Sequence, residues 1–502
     1  MATSQKGRVE KLFIGGKWVP GSADGYIERR NPATEAVVGR VPRGTREDAK
    51  AALEAAAESQ DAWAALPAPA RAKILARTRD ILEARKDELA RLLSQEQGKP
   101  LHPEAIGEIE GTIEHFDYFA GYGRRMEGTV VPSDYPDRTV LMLRLPVGVV
   151  AALTPWNFPA AMVARKLCPS LVAGNTVVLK PSSATPLIAY EIVRALEKAG
   201  LPRGVVNLVT GPGEEVGDEL VRNPLSNLIT ITGSTEAGKK VMEAASAHVK
   251  RLVLELGGKA PFIVFDDADL DQAVRAAVFA RFWNAGQTCI NSERTYVHED
   301  VYEAFTRKYA QAVKALRLGD PLAEGTDIGP LVSPDQREKT EAAVQEAVHQ
   351  GAKVLAGGSR PPAFKKGYYY EPTVLGDVEQ GWDIVQDEVF GPVSPLLSFR
   401  DFDEAIRYAN DSRYGLASYL FTRDAGVAMR AAHAIKFGET YINQTGPELL
   451  QGYHTGWRES GLGGEGSRYG AEGYTQIKTV YWNYSGDLQV DYLFPYGAEK
   501  VR

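Results

Sequence analysis

Between positions 45 and 98 apolar residues recur at intervals of three, four and seven, as in Ile74, Leu75, Ile81, Leu82, Leu89, Leu92 and Leu93. This is the stripe of an amphipathic helix laid on a larger body. The spacing predicts two helices: one opening on a Thr45-x-x-Asp48 capping box, the second over about 71–97 with Gly98 as its stop. From Arg144 onward the texture changes to short apolar runs, at 147–153, 176–180, 205–209, 228–232 and 252–254, separated by helical patterns. Strands alternating with helices predict an α/β fold with a parallel sheet. A second series begins after Lys259, with runs at 262–265, 294–298 and 417–421, so two α/β units are expected.

Composition narrows the class. A chain of 502 residues exceeds the size at which single cores stop growing, so more than one domain is expected. Two cysteines cannot build a disulfide framework, and seven scattered histidines without a CxxC or HxxxH pair point to no metal site. The first residues lack an apolar h-region and no stretch approaches the roughly 20 apolar residues of a membrane span. A cytoplasmic protein is the expectation. A net charge of −7 with mixed signs and no basic run disfavours nucleic acid and membrane surfaces, leaving small molecules as the expected partners.

Candidate chemistry centres on Cys289, in Phe282-Trp283-Asn284-Ala285-Gly286-Gln287-Thr288-Cys289, downstream of Glu255-Leu256-Gly257-Gly258-Lys259. A thiol after a Gly-Gln step and an acid before a Gly-Gly turn suggest a nucleophile and its base; the alternative is a small buried hydrophobe, as read for Cys168. Strand, turn and helix start also recur at Val209-Thr210-Gly211-Pro212-Gly213 and Thr232-Gly233-Ser234-Thr235, where free N–H groups and the helix dipole suit phosphate. Neither is a GxGxxG, and ordinary turns would look the same. Asn157, held between Pro155 and Pro159, closes a strand where ligands sit in open α/β sheets, or else caps a helix.

Together these stretches resemble the aldehyde dehydrogenase superfamily over nearly the whole chain. The likeness rests on Pro155-Trp156-Asn157-Phe158-Pro159, Lys180-Pro181-Ser182, Gly233-Ser234-Thr235, Leu254-Glu255-Leu256-Gly257-Gly258-Lys259, Gly286-Gln287-Thr288-Cys289 and Glu388-Val389-Phe390-Gly391-Pro392. It implies a Rossmann-like cofactor domain at 1–126 and 146–257, a catalytic α/β domain at 258–460, and a small β oligomerisation hairpin with a tail at 127–145 and 471–502. It also implies NAD or NADP as cofactor, an aldehyde as substrate, and a dimer or tetramer.

By the same resemblance Cys289 attacks the aldehyde, Asn157 holds the oxyanion and Glu255, tuned upward by partial burial, activates water. Trp156 and Gly213 fall to the adenine side, Lys180 to the adenosine ribose, Ser234 to the pyrophosphate, Glu388 and Phe390 to the nicotinamide ribose, and Leu256 to the same cofactor. Ser183 departs from the pattern: many NAD-preferring relatives carry Glu there, so the charge barrier to NADP is missing.

The stretch from Gly438 to Trp457 resembles lactaldehyde and glycolaldehyde dehydrogenases, which use an arginine, a glutamate and a histidine around a small hydroxyaldehyde. Arg165, Glu448 and His454 match them. Arg165 is expected two turns along a helix begun by Asn157; the alternatives are a surface salt bridge for Arg165 and a loop ion pair for Glu448 and His454. Ile290, an asparagine in the lactaldehyde pattern, makes the pocket more apolar and admits a broader range of aldehydes. A CoA-acylating dehydrogenase, a thiol esterase and a non-catalytic protein on the same scaffold are weaker readings, disfavoured by Glu255 and by the set Lys180, Ser234, Glu388 and Phe390.

Overall fold

The computed structural model describes residues 8–486. Among these, an eight-stranded sheet orders its strands Gly461–Leu462, Arg251–Glu255, Leu228–Thr232, Val149–Leu153, Thr176–Lys180, Val206–Leu208, Leu12–Ile14 and Lys17–Val19. Its central members pair in parallel and its edges antiparallel. The chain leaves Val149–Leu153 toward one edge and returns on its other side at Leu228–Thr232, which opens a crevice at the carboxyl ends of the strands. Thr154 to Asn157 and the Ser234 helix start line that crevice.

The predicted second series forms a seven-stranded sheet, ordered Lys353–Ala356, Thr373–Gly376, Val393–Phe399, Ser292–His298, Ala260–Val264, Ala417–Phe421 and Glu439–Ile442. The expected extended region becomes Thr129–Val131 and Arg138–Pro146, joined by Thr475–Asn483 in a three-stranded sheet. Leu143, Leu145, Ile477, Tyr481 and Trp482 are exposed on or beside it. Residues 487–502, the rest of the expected tail, lie outside the described residues.

Two expectations need correction. The single helix over 71–97 is two helices, Ala68–Glu83 and Lys86–Gln97. Arg85 leaves helical geometry between them at φ −120° and ψ 12°, and its guanidinium pairs with Glu88 at 2.6 Å and with the buried Glu191 at 2.7 Å. The capping box at Thr45 and the left-handed Gly98 stop are present as read. Secondly, Asn157 does not begin a helix. The helix carrying Arg165 is Pro159–Ala173, and Asn157 precedes it in the turn with no side-chain cap.

Candidate active site

Two cavities meet inside the molecule, of about 930 Å³ and about 850 Å³. Cys289 lines both, and no other described residue does. The backbone before it is unusual: Asn284 and Ala285 have φ of 54° and 53°, and Gly286 has φ of 76°. Left-handed non-glycine residues cost free energy and persist only where neighbours over-determine them. Asn284 is held by its N–H to Glu104 Oε1 (3.0 Å), by Gln97 Nε2 donating to its Oδ1 (2.9 Å), and by its own amide donating to the carbonyls of Asn157 (3.0 Å) and Gln287 (3.1 Å). Glycine is required at 286, where a Cβ would lie 2.3 Å from the Gly391 carbonyl oxygen.

Asn157 is buried with its Nδ2 donating to Gln287 O at 3.1 Å, which sets its amide against the segment that carries Cys289. Its own carbonyl accepts from Lys99 Nζ at 2.9 Å. Lys99, fully buried, pairs with Glu108 at 2.5 Å, and Glu108 Oε1 accepts the N–H groups of Ala160 and Ala161 at the start of the following helix. A buried ion pair thus grips both sides of the Asn157 turn. Nothing in the local sequence marks Lys99 or Glu108, because their partners are distant in the chain.

Glu255 ends the strand Arg251–Glu255 and is 2% exposed, more deeply buried than the partial burial expected of it. Neither carboxylate oxygen has a hydrogen-bond partner. Desolvation raises its pKa above the ordinary carboxylate range, against the pull of His454. It lines neither cavity; His454 Nε2, at 3.6 Å from its Oε2, stands between it and the acceptor side. The Gly-Gly step that follows is set by close approach, since a Cβ at Gly258 would lie 2.3 Å from the Cys289 carbonyl oxygen.

The larger cavity is walled by Trp156, Asn157, Lys180, Ser183, Gly213, Ser234, Leu256, Glu388 and Phe390, so every residue assigned to the cofactor from the sequence borders one space. Lys180 has no acidic partner among the described residues, and burial lowers its pKa to about 8, so its ammonium is a donor in want of oxygen acceptors. Ser234 caps the helix Thr235–Ala245, leaving first-turn N–H groups toward the cavity. Ser183 donates to Gly211 O at 3.3 Å and brings no charge. Glu388 accepts from Gly258 N–H at 2.8 Å, and desolvation raises its pKa to about 8. These donors, with the Trp156 and Phe390 rings 5.3 Å apart, fit a dinucleotide with its ribose hydroxyls and phosphates.

Glu293, unremarked in the sequence, ties the two regions together. Its oxygens accept the N–H groups of Val389 and Phe390, each at 3.0 Å, and pair with Lys259 (2.8 Å) and Arg281 (3.1 Å). Burial would raise its pKa, but Arg281 and Lys259 outweigh that and hold it down to about 2. The strand just after Cys289 therefore carries the tether of the Glu388 loop.

The second cavity takes Arg165, Glu448 and His454 into its wall beside Cys289. Arg165 is buried and pairs with Glu448, with Glu465 at 4.0 Å from its Nε; the surface salt bridge is excluded. Glu448 and His454 are not a loop pair with each other. Glu448 is lowered despite burial by Arg165 and His454. His454 Nδ1 lies 2.9 Å from Glu439 Oε1, whose other oxygen accepts from Tyr441 OH at 2.9 Å. Burial alone would depress the imidazolium, but Glu439, Glu448 and Glu255 raise it well above its ordinary value, with Cys289 adding to the effect. Lys166 and Glu465, paired at 2.7 Å, complete a charge network the sequence did not disclose. Ile290 is buried in the same wall with Phe158, Met162, Phe282 and Trp283.

Residues 18–480 match the aldehyde dehydrogenase family. A D-glyceraldehyde dehydrogenase (NADP(+)) of Thermoplasma acidophilum is 45% identical over 479 residues, covering 95% of this chain and 97% of that one. A lactaldehyde dehydrogenase of Escherichia coli is 44% identical over 472 residues, covering 94% and 98%. The crystal structure of the Escherichia coli lactaldehyde dehydrogenase superposes with a TM-score of 0.93 at 43% identity, covering 95% of this chain and 100% of that one. A betaine aldehyde dehydrogenase from Staphylococcus aureus in complex with NAD+ gives a TM-score of 0.94 at 35% identity, covering 96% of each chain. Motifs, fold and overall likeness agree: the chain belongs to the aldehyde dehydrogenase family.

Proposed function

We propose that this chain oxidises a small 2-hydroxyaldehyde to its acid with NAD or NADP as acceptor. The observation that carries the reading is that Cys289, alone among the described residues, joins the dinucleotide-shaped cavity to the one walled by Arg165, Glu448 and His454. Cys289 Sγ adds to the aldehyde carbon, and the resulting alkoxide is held by the Asn157 amide, a donor type worth about 2.7–4 kcal/mol in comparable sites. A bound nicotinamide supplies the hydride acceptor. Glu255, whose raised pKa brings it nearer working pH, then takes the proton of the water that hydrolyses the Cys289 thioester. The step requires the Glu255 side chain, which lines neither cavity, to turn toward Cys289.

The polar wall favours a substrate hydroxyl: it offers an ionised carboxylate at Glu448 and donors at Arg165 and His454, and a substrate lacking the hydroxyl leaves them unsatisfied. Relatives acting on glyceraldehyde and lactaldehyde agree with this. The apolar side, with Ile290, favours a second reading of broader aldehyde specificity. Formation of reduced nucleotide at 340 nm decides between them: a kcat/KM for lactaldehyde at least about tenfold above propanal is expected, and equal values overturn the hydroxyl reading. Ser183 supports acceptance of NADP. The domain division at 1–126 with 146–257, and 258–460, belongs to the same proposal. So does pairing of subunits through the three-stranded sheet, where truncation at Asn483 is expected to alter assembly size or activity. No helix of the described residues is long and apolar enough to cross a membrane.

A further inference from the structure

Glu104 stands in the wall of the acceptor cavity and is 9% exposed. Its Oε1 accepts the N–H of Asn284 at 3.0 Å, while its Oε2 is buried without a hydrogen-bond partner. Burial raises its pKa to about 7 against the pull of Lys99. A carboxyl desolvated in this way is a poor spacer, since an apolar side chain of the same length would fill the place without burying two oxygens. Its one bond goes to a residue whose other polar groups are all engaged around the reacting thiol. Asn284 Oδ1 accepts from Gln97, its Nδ2 donates to the carbonyls of Asn157 and Gln287, and its own carbonyl accepts from the main-chain N–H (3.1 Å) and the side-chain amide (2.9 Å) of Gln287. The same Gln287 carbonyl accepts from Asn157 Nδ2. Asn284 therefore lies between Glu104 and both working parts, the Asn157 amide and the segment that ends on Cys289.

We propose that Glu104 is a positioning residue for the oxidation: by holding the Asn284 N–H it fixes the left-handed turn Asn284–Ala285, and with it the placement of Cys289 against the Asn157 amide. Two successive left-handed residues that are not glycine are disfavoured by the backbone itself, so the turn needs an anchor from outside its own segment. Glu104, some 180 residues earlier in the chain, supplies one. The inference rests on Cys289 as nucleophile and Asn157 as oxyanion donor, and is independent of which aldehyde is bound.

Single-turnover formation of reduced nucleotide at 340 nm tests it. Glu104→Met keeps the length, removes the acceptor and the unpartnered oxygen, and is expected to fold and to bind nucleotide as the parent does in fluorescence titration. Its single-turnover rate is expected to fall about tenfold or more. Glu104→Gln, which keeps an oxygen for the Asn284 N–H, is expected to stay within about threefold of the parent. Adding Ala285→Gly to Glu104→Met is expected to recover at least about threefold of the lost rate, because glycine takes the left-handed conformation without an anchor. If Glu104 only fills space, Glu104→Met changes Tm and leaves the rate alone, which overturns the proposal. A Glu104→Gln rate as low as that of Glu104→Met, or no recovery in the double variant, overturns it as well. Failure of the underlying assignment shows separately, as single-turnover oxidation retained in Cys289→Ala.

Discussion

The two cavities that meet at Cys289 are built in different ways. The dinucleotide side is made mostly of strand ends and a helix start at the switch point of the eight-stranded sheet, with Lys180 among them, and is closed by the loop of Glu388 and Phe390. The acceptor side is a network of buried charges drawn from distant segments: Arg165 with Glu448, Lys166 with Glu465, and His454 with Glu439. A site of the first kind tolerates change outside its turns. In a site of the second kind, removing one member strands its partner in a desolvated place.

The sharpest break in this comparison is at the shared residue. Cys289→Ala is expected to lower kcat by about ten-thousandfold or more while nucleotide binding, followed by fluorescence titration, stays intact. Retained oxidation would dissolve the link between the cavities. Next in size, Glu255→Gln is expected to leave a burst of reduced nucleotide with turnover slowed about 10²–10⁴-fold in stopped-flow assays. Full-rate turnover would exclude Glu255 as the base.

Arg165→Met tests the network itself. It is expected to cost about 3–5 kcal/mol in chemical unfolding, because the buried Glu448 carboxylate loses its ion-pair partner. The double variant Arg165→Met with Glu448→Leu is expected to regain most of that stability but not the preference for lactaldehyde over propanal. If the single variant is as stable as the parent, the pair is not acting as a buried unit.

Glu293 offers a pH test of the tether between the two sides. Its folded pKa, held down to about 2 from an ordinary 4.5, means the stabilisation is complete above about 4.5 and fades as pH falls toward 2. The Tm of the unsubstituted protein is expected to fall more steeply through that window than that of Glu293→Gln, and parallel profiles would count against the tether. The smallest effect belongs to the local side: Ser183→Glu is expected to reduce kcat/KM with NADP about tenfold, leaving NAD little changed.

Legibility followed the same division. The strands at 176–180, 228–232 and 417–421 were readable to the residue, since an apolar run bounded by turns is a local signal. The break at Arg85 was not, because what holds it is the buried Glu191, more than a hundred residues away. Likewise Arg165, Glu448 and His454 were named from likeness to a family pattern, but their pairings were not.

The chain's own order of residues decided the strands, the capping box at Thr45 and the motifs that carry the family likeness, because each of these is a matter of neighbours along the backbone. Only the folded arrangement decided the charge states of Glu255, Glu448 and His454, and the grip of Lys99 and Glu108 on Asn157. Burial and ion pairing depend on segments that meet only when the sheets assemble.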